Sequence, residues 1–236
     1  MNKLLSRLLG FKNSVMMFDW ERRALIRMIE QCVDVKIETA RLLDVGCGYG
    51  RNLGTTKNLC GTCIGVDINP EIVRANKERG FECYTPEELP RDGLKFDVVL
   101  MSHVIEHFAP NDLLEFMDGY LDLLRPGGHL IIATPLLSPY FYDDFDHIKP
   151  YQPVGILLMF GHKDAQVQYH SRHELTLSDL WFRRSYYRAS YRRSRYINTA
   201  FSRVAVMLEF ISALISFVFM GRLGRVDGWI GTFQRK

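Results

Sequence analysis

Arg41-Leu-Leu-Asp-Val45 runs without a break into Gly46-Cys-Gly-Tyr-Gly50. A short apolar run ended by glycines reads as a buried strand, and glycines there let the backbone turn tightly and pass close to a ligand. Working outward, the pattern recurs. Apolar runs at 63–68, 81–84, 96–101 and 129–134 predict further strands. Between them, helical patterns occupy 52–59, 71–79 and 112–124. Pro70 suits the first turn of one helix, and Arg125-Pro-Gly-Gly128 stops another. Strands alternating with helices predict an α/β fold, a doubly wound, largely parallel sheet with helices on both faces.

The rest of the chain is organised around this core. An amphipathic helix is expected from about 19 to 33, within an N-terminal segment 1–40. The core is 41–170, including a helix at 153–160 and a sixth strand at 165–170. A mostly helical, basic insertion follows over 171–228, and 229–236 reads as a final edge strand. The chain has 236 residues, 47% apolar and 24% charged, which excludes a disordered chain, a collagen-like fibre or a disulfide-stapled scaffold.

The net charge of +3 conceals a division. Residues 171–236 hold twelve Lys/Arg against four Asp/Glu, while residues 1–170 hold eighteen against twenty-three. Arg183 to Arg203 contains seven arginines and no acid, and it leads into the apolar run 204–220. That run is short for a membrane span and carries Glu209. It reads as a buried helix or as one lying on an anionic membrane surface, through residues 183–220. The N-terminus lacks the pattern of a signal peptide, so a cytoplasmic location is expected, possible at the inner face of a membrane. Cys60-Gly-Thr-Cys63 has no second pair or nearby histidine to complete a zinc set and reads as simple thiols.

In doubly wound sheets the ligand sits beyond the carboxyl ends of the strands. A Gly-x-Gly-x-Gly alone fits a dinucleotide site as readily as any other. Its spacing departs from the dinucleotide fingerprint, however, and Asp44 stands at the strand end just before it, with only Val45 between. A carboxylate there repels a pyrophosphate and suits a cationic ligand such as S-adenosylmethionine. Asp67 closes the second strand, twenty-one residues after Gly46, where a carboxylate accepts both ribose hydroxyls of an adenosine cofactor.

With those residues the chain resembles the class I S-adenosylmethionine-dependent methyltransferases. LLDVGCGYGRNL (42–53) is similar to the family's first motif and CIGVDINPEIV (63–73) to its ribose-binding strand. KFDVVLMSHVIEHF (95–108) and LLRPGGHLIIATP (123–135) resemble its fourth- and fifth-strand motifs. The resemblance implies a Rossmann-like sheet of seven strands with the last antiparallel. It also implies S-adenosylmethionine as cofactor and cofactor roles for Asp44, Gly46, Gly48 and Asp67. Ile68 would pack on adenine and Ser102 would line the methionine end. Thr85 stands where the family often has an acid near the adenine amine, with Glu87 or Glu88 as substitutes.

His103, His107 and His147 are the candidate bases for a hydroxyl acceptor, His103 first because it sits at the end of the fourth strand. Quinone-biosynthesis O-methyltransferases that resemble this chain hold a divalent cation with acids and a histidine here. Glu106 and His107 match that set, but His103 replaces an acid, and no metal is expected. His103-Val-Ile-Glu-His107 also matches an inverted zinc-peptidase pattern, in the wrong structural context. Pro139, Tyr140, Phe141 and Tyr142 are expected to wall the acceptor. The expected acceptor is a glycan, lipid-linked or other small molecule. Nucleic acid is disfavoured despite the basic, tyrosine-rich stretch 181–196, because basic residues beside an apolar helix suit lipid better.

Overall fold

The computed structural model describes residues 13–16, 18–33, 38–161, 168–188, 196–197 and 202–236. The chain forms two compact units, 24–181 with 228–236, and 1–23 with 182–227. The helices are α1 (Trp20–Val33), α2 (Arg51–Thr56), α3 (Pro70–Glu78), α4 (Pro110–Leu121), α5 (Pro153–Phe160) and α6 (Ser202–Val218). The strands are β1 (Arg41–Val45), β2 (Thr62–Val66), β3 (Glu82–Tyr84), β4 (Phe96–Ser102), β5 (Leu124–Pro135), β6 (Leu175–Ser185) and β7 (Arg225–Arg235).

The seven strands lie in the order β3-β2-β1-β4-β5-β7-β6. β1 pairs in parallel with β2 and β4, and β7 runs antiparallel to β5. The order therefore reverses between β1 and β4. Register aligns Val45 with both Val66 and Met101, so three strands end at one level beside the reversal. Every residue of β4 is buried, as expected of a central strand covered on both faces. On one face Leu25, Met28 and Ile29 of α1 pack with Leu42, Val98, Leu100 and Ile131. On the same face, beyond Cys63, Cys47, Leu53, Val73 and Cys83 form a smaller cluster.

Two expectations are corrected. The sixth strand is β6, inside the segment expected to be helical, rather than 165–170. Residues 168–170 are not strand, and 165–167 lie outside the described residues. β6 is an edge strand with mixed burial, and its arginines mask the alternation of Leu175, Leu177 and Trp181. β7 begins earlier than expected and is not an edge strand; it lies between β5 and β6. Residues 228–233 are all buried, which weakens the alternation by which the strand is expected and hides its central position. Trp229 donates its indole N–H to the Tyr151 carbonyl at 2.8 Å, which satisfies the polar end of this fully buried ring.

In the smaller unit, Arg183 joins two acids. It meets Glu21 at 2.5 Å and Asp227 at 2.9 Å. Phe18, Trp20 and Phe217 form an aromatic cluster, and Gly221 turns against the Trp20 ring with φ +71, leaving no room for a Cβ. The N-terminal segment 1–40 has described helix at 13–16 and in α1; residues 1–12, 17 and 34–37 lie outside the described residues.

Candidate functional site

The loop after β1 is tied down at each step. Gly46 and Cys47 both donate their N–H groups to the Val66 carbonyl, at 2.8 and 3.0 Å. Gly46 has φ +71, and a Cβ there would lie 2.5 Å from a Val104 methyl. Both conformation and packing therefore demand glycine. Gly48 is also left-handed, but a Cβ on it would meet nothing within 4 Å. Its open side is where backbone can approach a ligand.

Asp67 holds the other side. Its carboxylate accepts the Gly48 N–H and the Asn69 N–H, each at 2.9 Å. A carboxylate offers about four acceptor sites, so two are free for hydroxyl donors. Asn76, fully buried on α3, donates to the Gly48 carbonyl at 2.7 Å and so braces the loop from behind. Nothing in the sequence singled out Asn76; the only signal was an amide on the inward face of an amphipathic helix. Beside Asp67, Ile68 is 85% exposed, as an apolar platform awaiting a partner would be. Thr85 and Glu88 bond each other, and Glu88 also pairs with Lys77 at 3.3 Å.

Asp44 is fully buried, and neither carboxyl oxygen finds a hydrogen-bond partner of normal geometry among the described residues. Burial pushes its pKa up to about 7, against the pull of the Asn52 amide. The unfolded-like value is 3.8. Asp44 thus favours the folded, ligand-free chain fully below that value, and the contribution is lost as pH rises through about 7.

Beyond β4 the chain turns sharply. His103 has φ +57, a left-handed conformation rare outside glycine, and its N–H is held by the Ala133 carbonyl at 2.7 Å. Its ring Nδ1 lies 3.3 Å from Oε1 of Glu106. Glu106 has no exposed surface and accepts the Thr134 hydroxyl at 2.9 Å on its other oxygen. Its carbonyl accepts the N–H groups of Ile148 and Lys149. Glu106 therefore lies beside His103, its Oε1 making no hydrogen bond of normal geometry among the described residues, and its carbonyl anchors the segment after β5. The sequence showed Glu106 only as part of a metal-like pattern, because the contacts with Thr134 and Ile148 join residues far apart in the chain. Ser102, at the end of β4, is buried.

His147 has its Nδ1 2.6 Å from the Phe141 carbonyl and its Nε2 3.7 Å from Asp144. The Nδ1 contact ties the ring to its own segment, and Nε2 is turned toward Asp144 without a hydrogen bond. His107 has its Nδ1 3.1 Å from the Asp146 carbonyl. Glu106, His107 and His147 each offer a ligand atom, all within 4.8 Å of one another. Carbonyl-bonded Nδ1 groups are the usual support of metal-binding histidines, so this set is chemically able to hold a divalent cation. Phe141, expected on the acceptor wall, is instead buried under His147, their rings 4.6 Å apart. Tyr142 and Phe145 are the exposed aromatics of this segment.

A family model described as a methyltransferase domain matches residues 17–202. The chain belongs to the class I S-adenosylmethionine-dependent methyltransferases. Among its relatives, the ubiquinone biosynthesis O-methyltransferase of Brucella anthropi is 37% identical over 102 residues. That stretch covers 40% of this chain and 40% of that protein, so the match spans less than half of either. Two solved structures share the fold. An S-adenosylmethionine-dependent methyltransferase from Archaeoglobus fulgidus superposes with a TM-score of 0.56 at 20% identity, over 97% of this chain and 99% of that one. The N-methyltransferase NodS from Bradyrhizobium japonicum, solved with S-adenosylhomocysteine, gives 0.56 at 12% identity, over 92% and 87%.

The methyltransferase's own residues fit its family's cofactor. A buried carboxyl lacking a hydrogen-bond partner at Asp44 suits a cation, the open side of Gly48 admits a ligand against the backbone, and Asp67 retains acceptor capacity for a ribose.

Proposed function

We propose that the chain methylates a hydroxyl oxygen on a glycan, lipid-linked or other small acceptor, in the cytoplasm at the inner face of a membrane. S-adenosylmethionine, held by Asp44, Gly46, Gly48 and Asp67, supplies a methyl already activated by its sulfonium. The observation that carries the oxygen assignment is His103 standing 3.3 Å from the buried Glu106 carboxyl at the end of β4. His103, standing beside that carboxyl, takes the proton from an acceptor hydroxyl. Glu106 stabilises the imidazolium that forms, and Thr134 keeps Glu106 in place. Tyr142 and Phe145 offer exposed aromatic surface for the acceptor. An O-methylating relative supports the same reading.

Alignment of the acceptor oxygen with the activated methyl is the protein's main contribution, worth roughly 7–11 kcal/mol in well-oriented systems. Purified protein incubated with methyl-labelled S-adenosylmethionine and cell extract tests the acceptor class. Label is expected in base-stable ether linkages of the lipid or small-molecule fraction. Label confined to RNA or to protein nitrogen overturns the assignment.

Asp44 also makes a pH prediction. A cationic ligand beside it favours the ionised carboxylate, so binding releases its proton. With a free-state pKa of about 7, affinity for S-adenosylmethionine is expected to rise about tenfold from pH 6 to pH 8. Asp44→Asn should bind more weakly and flatten that dependence in calorimetry. A pH-independent wild-type affinity contradicts this role.

A further inference from the structure

Helix α6 is turned inside out relative to an ordinary surface helix. Glu209, Ala213 and Ser216 share its buried side. Val204, Met207, Leu208, Ile211, Ile215 and Val218 recur at helical spacing and are each 44–66% exposed. Half-buried Phe210, Leu214 and Phe217 lie between the two sides. A helix facing water puts its polar stripe outward and its large apolar residues inward. Here the outward stripe is apolar, and Phe219, Met220 and Leu223 extend the exposed apolar surface beyond its end. An apolar surface of this extent marks a binding face.

Charge indicates what covers it. The smaller unit holds fourteen Lys/Arg against four Asp/Glu, whereas the larger holds sixteen against twenty-three. Arg184, Arg188, Arg222 and Arg225 of the smaller unit are exposed. No helix among the described residues is long and apolar enough to cross a membrane. At 17 residues α6 is about 25 Å long, shorter than the roughly 30 Å hydrocarbon core. A short helix with an outward apolar face, in a strongly basic unit, has the chemistry of an element lying in the headgroup layer of an anionic bilayer.

We propose that α6 is a membrane-surface anchor whose outward face enters an anionic bilayer while neighbouring arginines meet lipid phosphates. This gives a physical basis to the membrane location proposed above, and lipid binding is measured without any methyl transfer, so the two can fail separately. The full-length chain is floated with vesicles of equal phosphatidylglycerol and phosphatidylcholine, and with phosphatidylcholine alone. Wild type is expected to float with the anionic vesicles and to be largely released by 0.5 M salt, on the order of the Debye screening of surface charge. Met207→Ser/Ile211→Ser/Ile215→Ser should weaken binding roughly a hundredfold by removing apolar area from side chains that already face outward. Arg188→Gln/Arg222→Gln is the second variant, expected to lose roughly fivefold per arginine. Circular dichroism and S-adenosylmethionine binding confirm that each variant is folded.

A wild-type chain that never floats overturns the proposal. So does a folded triple-serine variant that floats as well as wild type. Salt-sensitive RNA binding without vesicle binding would assign the arginines to nucleic acid. A concentration-dependent dimer dispersed by the serine substitutions, without lipid binding, would assign the face to a second copy of the chain. Either result rejects the lipid surface.

Discussion

Asp67→Ala is expected to weaken S-adenosylmethionine binding about a hundredfold, the largest loss of any single change in the cofactor site. Two hydrogen bonds to a charged acceptor, each worth about 1.5–3 kcal/mol, disappear with the carboxylate. The substitution also removes the acceptor that holds the Gly48 and Asn69 N–H groups, so the loop loses its anchor on the β2 side. Asp67→Asn keeps one side-chain oxygen and should fall between the two. Calorimetry with S-adenosylhomocysteine measures the effect without turnover, and thermal melting checks the fold. An unchanged affinity in a folded Asp67→Ala protein removes the ribose assignment.

The second large effect is on rate. His103→Ala should lower kcat about 10²–10⁴-fold, the usual range for a positioned base, while cofactor affinity stays within about threefold. Glu106→Gln keeps the size of the side chain but removes the charge beside the His103 ring, and should shift the pH–rate profile as well as reduce its height. His147→Ala should act mainly through stability, because both its ring nitrogens already face Phe141 and Asp144. A normal rate for His103→Ala, with His107→Ala inactive, would move the base one turn along the chain. That result would remove the His103–Glu106 pair as the ground for methyl transfer to oxygen.

The part of the fold around the candidate cofactor site was legible because its signals are local. β1 occupies Arg41–Val45 as the apolar run predicts, and the glycines after it are left-handed at 46, 48 and 50. Asp44 and Asp67 stand at adjacent strand ends because β1 and β2 pair in register. The elements that were misread draw their character from distant neighbours. β7 alternates only weakly because residues on both its faces are buried over 228–233, and β6 is hidden among arginines that its edge position tolerates. In the catalytic region the histidines could be found as residue types, but their ranking could not. Only the fold shows that Glu106 meets His103 and Thr134, and that His147 is occupied within its own loop. The charge division was visible in the composition. The structure sharpened it, since the basic residues concentrate in a separate unit whose helix presents its apolar side outward.

The most direct test of the account is a pair of calorimetric titrations of the purified chain at pH 8, one with S-adenosylmethionine and one with NAD. The carboxylates at Asp44 and Asp67, set around a loop open at Gly48, predict saturable one-site binding of S-adenosylmethionine and no measurable binding of NAD, whose pyrophosphate Asp44 repels. Binding of NAD with no binding of S-adenosylmethionine would contradict it.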